Sequence, residues 1–326
     1  MNISINLVNY YERIKNYNKI YNKFKNLKEK QCLTFGKKNK YDDYYEYFLN
    51  NKKIILKKRI GSESRYGLIF LTSTNYNKNI IFATKIMIVD SHNHTEIILS
   101  KKLSNITLKD INPHFLLVYK SLICNNITAN KKLPELVRYD DYYITINELA
   151  DDNLKNFLIN INDPQLIKNA YQQIMLAILS FHYHTGGVYH RDCHYKNFLY
   201  HKIEKGGYFH YNIFGKNIYI ENKGYIWLIW DFGLAKTQEN RKLERLEDYF
   251  KVNQHFKSSS SYSDSNKFIE IEHIVNNMKS FHKKYTDIIG NSDLLLFKNI
   301  LNELFENSFN KKSFIINKKP YSIKNF

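Results

Sequence analysis

Apolar positions along the chain fall into two regimes. From Lys52, short β-branched and aromatic runs alternate with turn residues. Lys53–Arg59 reads as a strand, Gly61 to Gly67 as a glycine-bounded turn, and Leu68–Thr72 with Ile80–Val89 as a hairpin closed over NYNKN. Ser91 stands where it would cap a helix running to about Leu103. Phe115–Ile123 and Tyr142–Asn147 read as further strands, so this stretch predicts a small, mostly antiparallel sheet with one helix. After Glu148 the period turns helical. Asp163-Pro164 predicts a helix start, because Asp caps free N–H groups and Pro has no N–H to leave unpaired there. Leu166, Ala170, Ile174, Ala177, Ile178 and Phe181 keep helical spacing until Gly186-Gly187. Short strands are expected near Phe198–His201, Tyr208–Tyr211, Asn217–Ile220 and Tyr225–Trp230. Ser258–Ser265 reads as a polar loop, and helical spacing returns from about Lys267. The polar first 51 residues, with an amphipathic helical pattern between Leu7 and Leu27, read as an N-terminal extension. The expected class is α+β: a β-rich part at 52–147 and a mainly helical part at 148–326, with a hairpin inserted at about 201–224.

Length and composition narrow this picture. A chain of 326 residues suffices for about two domains and a sizeable core. With 43% hydrophobic and 25% charged residues, a largely disordered chain is excluded. Cys32, Cys124 and Cys193 are too few and too separated for a disulfide scaffold or a zinc ribbon, and a reducing setting is expected. No apolar run approaches the ~18 residues that span a bilayer. The start MNISINLVNYYERIK lacks the pattern of a secretory signal, so a cytoplasmic location is expected. The net charge is +18. The lysines are spread along the sequence, among the Asn, Ile and Tyr that AT-rich coding favours. Specific nucleic-acid binding is therefore not expected, although a basic surface attracts polyanions at low salt.

The chemistry concentrates in YHRDCHYKNFLY, Tyr189–Tyr200, and IWDFGLAK, Ile229–Lys236. Here the sequence resembles the protein-kinase superfamily, whose catalytic loop reads H-R-D-x-x-x-x-N and whose metal loop reads D-F-G. The chain supplies His190-Arg191-Asp192, Asn197, and Asp231-Phe232-Gly233 in that order. The resemblance covers about residues 52–305 and implies a bilobal fold with ATP and Mg²⁺ in the cleft. It implies that Asp231 and Asn197 hold Mg²⁺ through hard oxygen donors. Asp192 would orient the acceptor hydroxyl and take its proton.

The β-rich part adds supporting residues by the same resemblance. Phe82-Ala83-Thr84-Lys85 stands where the family has V-A-I-K, so Lys85 would grip the α/β-phosphates and pair with Glu96 in the following helix. Gly61 and Gly67 bracket the counterpart of the glycine-rich loop, with Glu63 where a second glycine would stand. Glu148-Leu149-Ala150 falls at the family's hinge, where backbone groups of Glu148 and Ala150 would bond an adenine.

The chain also departs from the family pattern. His194 replaces the lysine usual two residues after the catalytic Asp, an arrangement closer to aminoglycoside and choline kinases. It would hydrogen-bond the γ-phosphate, or Lys196 would supply the charge. Asn197 and Asp231 are 34 residues apart, and no A-P-E follows D-F-G. Asp248 is a candidate for the family's structural helix aspartate. These features are similar to the divergent kinase-like proteins of large DNA viruses, which would mean host cytoplasm or virion. The leading expectation is an ATP-dependent serine/threonine protein kinase acting on a protein substrate. A small-molecule kinase and a nucleotide-binding pseudokinase remain as alternatives.

Overall fold

The computed structural model describes residues 10–27, 34–38, 45–49, 52–60, 67–74, 77–124, 141–213, 216–236, 244–259 and 321–322. The expectations for Gly61, Glu63 and the helical tail from Lys267 lie outside the described residues. The chain is a mixed α+β protein that divides into two units. One comprises Tyr11–Ser104 with Leu116–Leu149, and the other Met1–Tyr10, Asn105–Phe115 and Ala150–Phe326. Among the described residues, no helix is long and apolar enough to cross a membrane.

The first unit is built on a seven-stranded sheet. Helix α1 (Tyr10–Phe24) precedes β1 (Thr34–Lys38), β2 (Tyr45–Leu49), β3 (Lys52–Ile60), β4 (Gly67–Thr74) and β5 (Asn77–Ile88). Helix α2 (Ser91–Leu108), β6 (Val118–Cys124) and β7 (Tyr142–Asn147) follow, and the strand order is β1-β2-β3-β4-β5-β7-β6. All pairings are antiparallel. Side chains alternate across a pleated sheet, so β5 and β7 each serve two faces. Phe82, Ile86, Tyr142, Ile144 and Ile146 join Leu68 and Phe70 in the main core, while Met87 and Tyr143 on the opposite face pack with Ile97 of α2.

Residues of the first 51 belong to this core. Ile20, Phe24 and Leu27 are buried in it, with Tyr17 packed alongside and Phe24 edge-on to Phe82 at 5.5 Å. Arg13, Tyr17, Ile20, Phe24 and Leu27 follow one another at steps of four and three residues, which is one helix face. Helix α2 is capped by Asp90 rather than Ser91. The Asp90 carboxylate accepts the Asn93 N–H at 2.7 Å, and the helix continues to Leu108, beyond the expected Leu103. The strand expected from Phe115 starts only at Val118. Cys124 is disulfide-bonded, whereas Cys193 is a free, buried thiol.

In the second unit the order is β8 (Asp152–Asn153), α3 (Leu154–Asn160), α4 (Pro164–Thr185), a 3₁₀ turn (Tyr195–Asn197), β9 (Phe198–Lys202), β10 (Tyr208–Ile213), β11 (Lys216–Glu221), β12 (Tyr225–Ile229), α5 (Glu244–Ser259) and β13 (Tyr321–Ser322). Asp163 caps α4 by accepting the N–H groups of Gln165 and Leu166, and Gly186 ends it at φ 74°, a conformation costly for a residue with a Cβ. Helix α4 is buried almost without interruption from Ala170 to Phe181, and it packs on β12 and α5. Gln173 ties it to the sheet: its amide donates to the Tyr225 carbonyl at 3.1 Å and its oxygen accepts the Trp227 N–H at 3.2 Å. Strands β9 and β12 pair antiparallel, Phe198 opposite Ile229, and β10–β11 forms the hairpin between them. His114 pins that hairpin. Its Nδ1–H donates to the Trp227 carbonyl at 2.6 Å, so Nε2 accepts from the Tyr211 hydroxyl at 2.7 Å.

Candidate functional site

The register of β9 and β12 builds the first part of the site. With Phe198 opposite Ile229, the residues just beyond the pair lie at the same end, and the Trp230 N–H donates to the Asn197 carbonyl at 3.2 Å. The Asn197 and Asp231 backbones therefore stand at one end of the strand pair although the residues are 34 positions apart in sequence, because the chain between them leaves and returns through the other end of the pair. Asn197 also reaches back to the preceding loop. Its side-chain nitrogen donates to the Asp192 carbonyl at 2.9 Å and to the Asp192 carboxylate at 3.0 Å. Asn197 is buried, while Asp192 and Asp231 are partly exposed.

Two residues here hold left-handed backbone conformations that cost side-chain-bearing residues free energy: Arg191 at φ 67° and Asp231 at φ 64°. Asp248 of α5 accounts for the first. Its carboxylate is fully buried and accepts the consecutive N–H groups of His190 at 2.7 Å and Arg191 at 2.9 Å, with His182 Nε2 at 2.9 Å. Burial alone would raise the Asp248 pKa. The His182 hydrogen bond and charge, with His190, overcome it and hold the pKa below the ordinary 3.8. His190 is oriented in turn. Its Nδ1 accepts the Asp192 N–H at 3.3 Å, so its Nε2–H donates to the Trp230 carbonyl at 3.0 Å. Phe232 stacks on Phe181 at 5.2 Å and meets the His190 ring edge-on at 5.4 Å. Lys236 pairs with Tyr189 through two backbone bonds. Each loop carrying an acid is thus held at both sides of that acid.

His194 caps the 3₁₀ turn, accepting the Lys196 N–H at Nδ1, and lies tilted against Tyr195 at 4.0 Å with His255 edge-on to both rings. Burial lowers the His194 pKa; Asp192 opposes this, while Lys196 and Lys155 reinforce it. Burial and the neighbouring His194 likewise lower that of His255. Both are neutral near pH 7. Cys193 has its thiol pKa pushed well up by burial and by Asp248, so it is not a nucleophile at neutral pH.

In the first unit, Lys85 and Glu96 meet as the sequence order suggested. Lys85 lies on the β5 face toward Met87, and its ammonium bonds both Glu96 oxygens, at 2.6 and 2.7 Å, with both residues buried. Gly67 begins β4 opposite Met87, and a Cβ there would lie 2.8 Å from Met87 Cγ and 2.9 Å from the Ile86 carbonyl, so glycine is required by strand packing itself. Glu148 is committed inside the unit. Its N–H donates to the Leu117 carbonyl, while its carboxylate accepts the Leu117 N–H at 2.6 Å and a bidentate fork from Arg13. Ala150 is half-buried at the start of the second unit's long segment.

Sequence reasoning missed Arg13, Lys251 and His255. The signal for Arg13 was its chemistry: the chain has seven arginines among 49 basic residues, and a planar fork suits a buried carboxylate better than lysine does. No protein-family model matches this chain, and no curated protein matches it.

Proposed function

We propose that the chain is an ATP-dependent phosphotransferase of the protein-kinase type, acting on serine or threonine hydroxyls. The observation that carries this reading is the Asp192–Asn197 hydrogen bond, with Asp231 next in the chain to Trp230, whose N–H bonds the Asn197 carbonyl at the end of the β9–β12 pair. A bilobal kinase-like fold accounts for the division into two units. The donor set fits Mg²⁺: with its nitrogen committed to Asp192, Asn197 has its amide oxygen for a cation, and Asp231 adds a carboxylate. Bound there with ATP, Mg²⁺ would neutralise the phosphate charge.

The remaining work belongs to the chain's own residues. Asp192, positioned by the Asn197 amide, accepts the proton of the acceptor hydroxyl. Lys85, held by Glu96 within its own unit, is the ammonium that the resemblance assigns to the phosphates. His194 is neutral, so it offers hydrogen bonding rather than charge. A transferase for small hydroxyl compounds is the second reading, favoured by His194 where a lysine is usual in protein kinases.

Transfer of labelled γ-phosphate from Mg-ATP tests both. Label should enter serine and threonine of an unstructured protein, and Asp192→Asn should lower the rate by about 10²–10⁴-fold without moving the unfolding transition. Label entering only small hydroxyl compounds would favour the second reading. A variant with wild-type turnover would overturn the role of Asp192.

A further inference from the structure

Around Asp192 the second unit gathers positive charge from four places in the sequence. Helix α3 packs against the 3₁₀ turn and α5. It carries Lys155, an exposed residue whose ammonium lies 5.7 Å over the Tyr195 ring. Lys196 is in the turn itself. Lys251 of α5 reaches back to donate to the Arg191 carbonyl, and the Arg191 side chain is exposed. The fields of these groups overlap: Lys196, Lys155 and Asp192 all act on His194, and Lys251 and Asp192 on His255.

Among the described residues, none of Arg191, Lys155, Lys196 and Lys251 forms an ion pair with a carboxylate. Three of the acids nearby have other partners. Asp248 is buried on His182 and two N–H groups, Asp152 accepts from Asn153 and Asn156, and Asp151 accepts the Lys202 N–H. Scattered lysines are normally a solvated surface, but four cations gathered beside the residue that receives the acceptor, with no ion-pair partner among the described residues, are a charge template.

We propose that the acceptor is a serine or threonine set in an acidic stretch of protein, whose carboxylates answer these cations. This rests on the phosphotransferase reading. The experiment uses the full chain with Mg-ATP and three serine peptides of equal length, flanked by Glu, Ala or Lys. The Glu peptide should have a kcat/KM about tenfold above the Ala peptide, the Lys peptide should be poorest, and the gap should narrow at high salt. Exposed Lys155→Glu should raise KM for the Glu peptide about threefold and leave KM for ATP and turnover of the Ala peptide unchanged. Lys251→Glu should act in the same direction.

Equal rates for the three peptides, or preference for the Lys peptide, would overturn the inference. So would a rise in KM for ATP in Lys155→Glu, which would assign the cations to the nucleotide, or label entering phosphorylated small alcohols but no peptide. Absence of both Mg-ATP binding and transfer would instead overturn the phosphotransferase reading, and the acceptor inference with it.

Discussion

Asp248 does at one point what several residues would otherwise share. Its two oxygens accept two successive N–H groups, which fixes the backbone leading into Asp192, and the same carboxylate orients His182. Asp248→Asn keeps the shape but exchanges an acceptor for a donor facing a donor. It should cost about 2–3 kcal/mol in denaturant unfolding and depress transfer. The histidines beside Asp192 make a second expectation. The lowered pKa values of His194 and His255 mean that the folded protein binds fewer protons than the unfolded chain just below the ordinary histidine value near 6.5. Their contribution to stability is therefore complete above that value and declines as pH falls through the folded values. Asp192, Lys155, Lys196 and Lys251 are the charged groups acting on the pair. The unfolding midpoint should fall between pH 7 and 5, and the fall should be shallower in a His194→Gln, His255→Gln double variant; identical profiles would refute this account.

Among the elements, α1 is the one whose importance exceeds its apolar content. Its amphipathic face was readable, since Tyr17, Ile20 and Phe24 repeat at helical spacing. Its partner was not, because a polar, lysine-rich helix gives no hint of which sheet it covers. The buried Arg13–Glu148 pair completes that packing across 135 residues of sequence. Arg13→Ala would leave a buried, uncompensated carboxylate and should cost about 3–5 kcal/mol. Arg13→Ala with Glu148→Gln should recover much of the loss, because the amide oxygen still accepts the Leu117 N–H without a charge. Thermal or urea unfolding of both variants checks this. Strand β5 was legible for the opposite reason: a dense β-branched run needs no partner to be recognised. The brief, tyrosine- and lysine-rich β1 and β2 offered no such run, and only pairing in the sheet defines them.

At the scale of the whole molecule, the mixed α+β class followed from the change in period near residue 150, and the order of motifs pointed to Lys85 with Glu96 and to Asp192 with Asn197. The charge distribution did not follow in the same way. Lysines that look evenly spread along the sequence converge when α3, the 3₁₀ turn and α5 pack together, because helices bring distant positions to one place. A net charge of +18 describes how strongly the molecule attracts polyanions at long range, and only the fold says where that attraction is focused.

The strand pair between Asn197 and Asp231 has one further consequence. Because both residues stand at the closed, hydrogen-bonded end, the distance between them is independent of how much polypeptide is spliced in at the far end. That end tolerates added chain: the β10–β11 hairpin, anchored by Tyr211 on His114, is carried there while the acid and the amide keep their spacing.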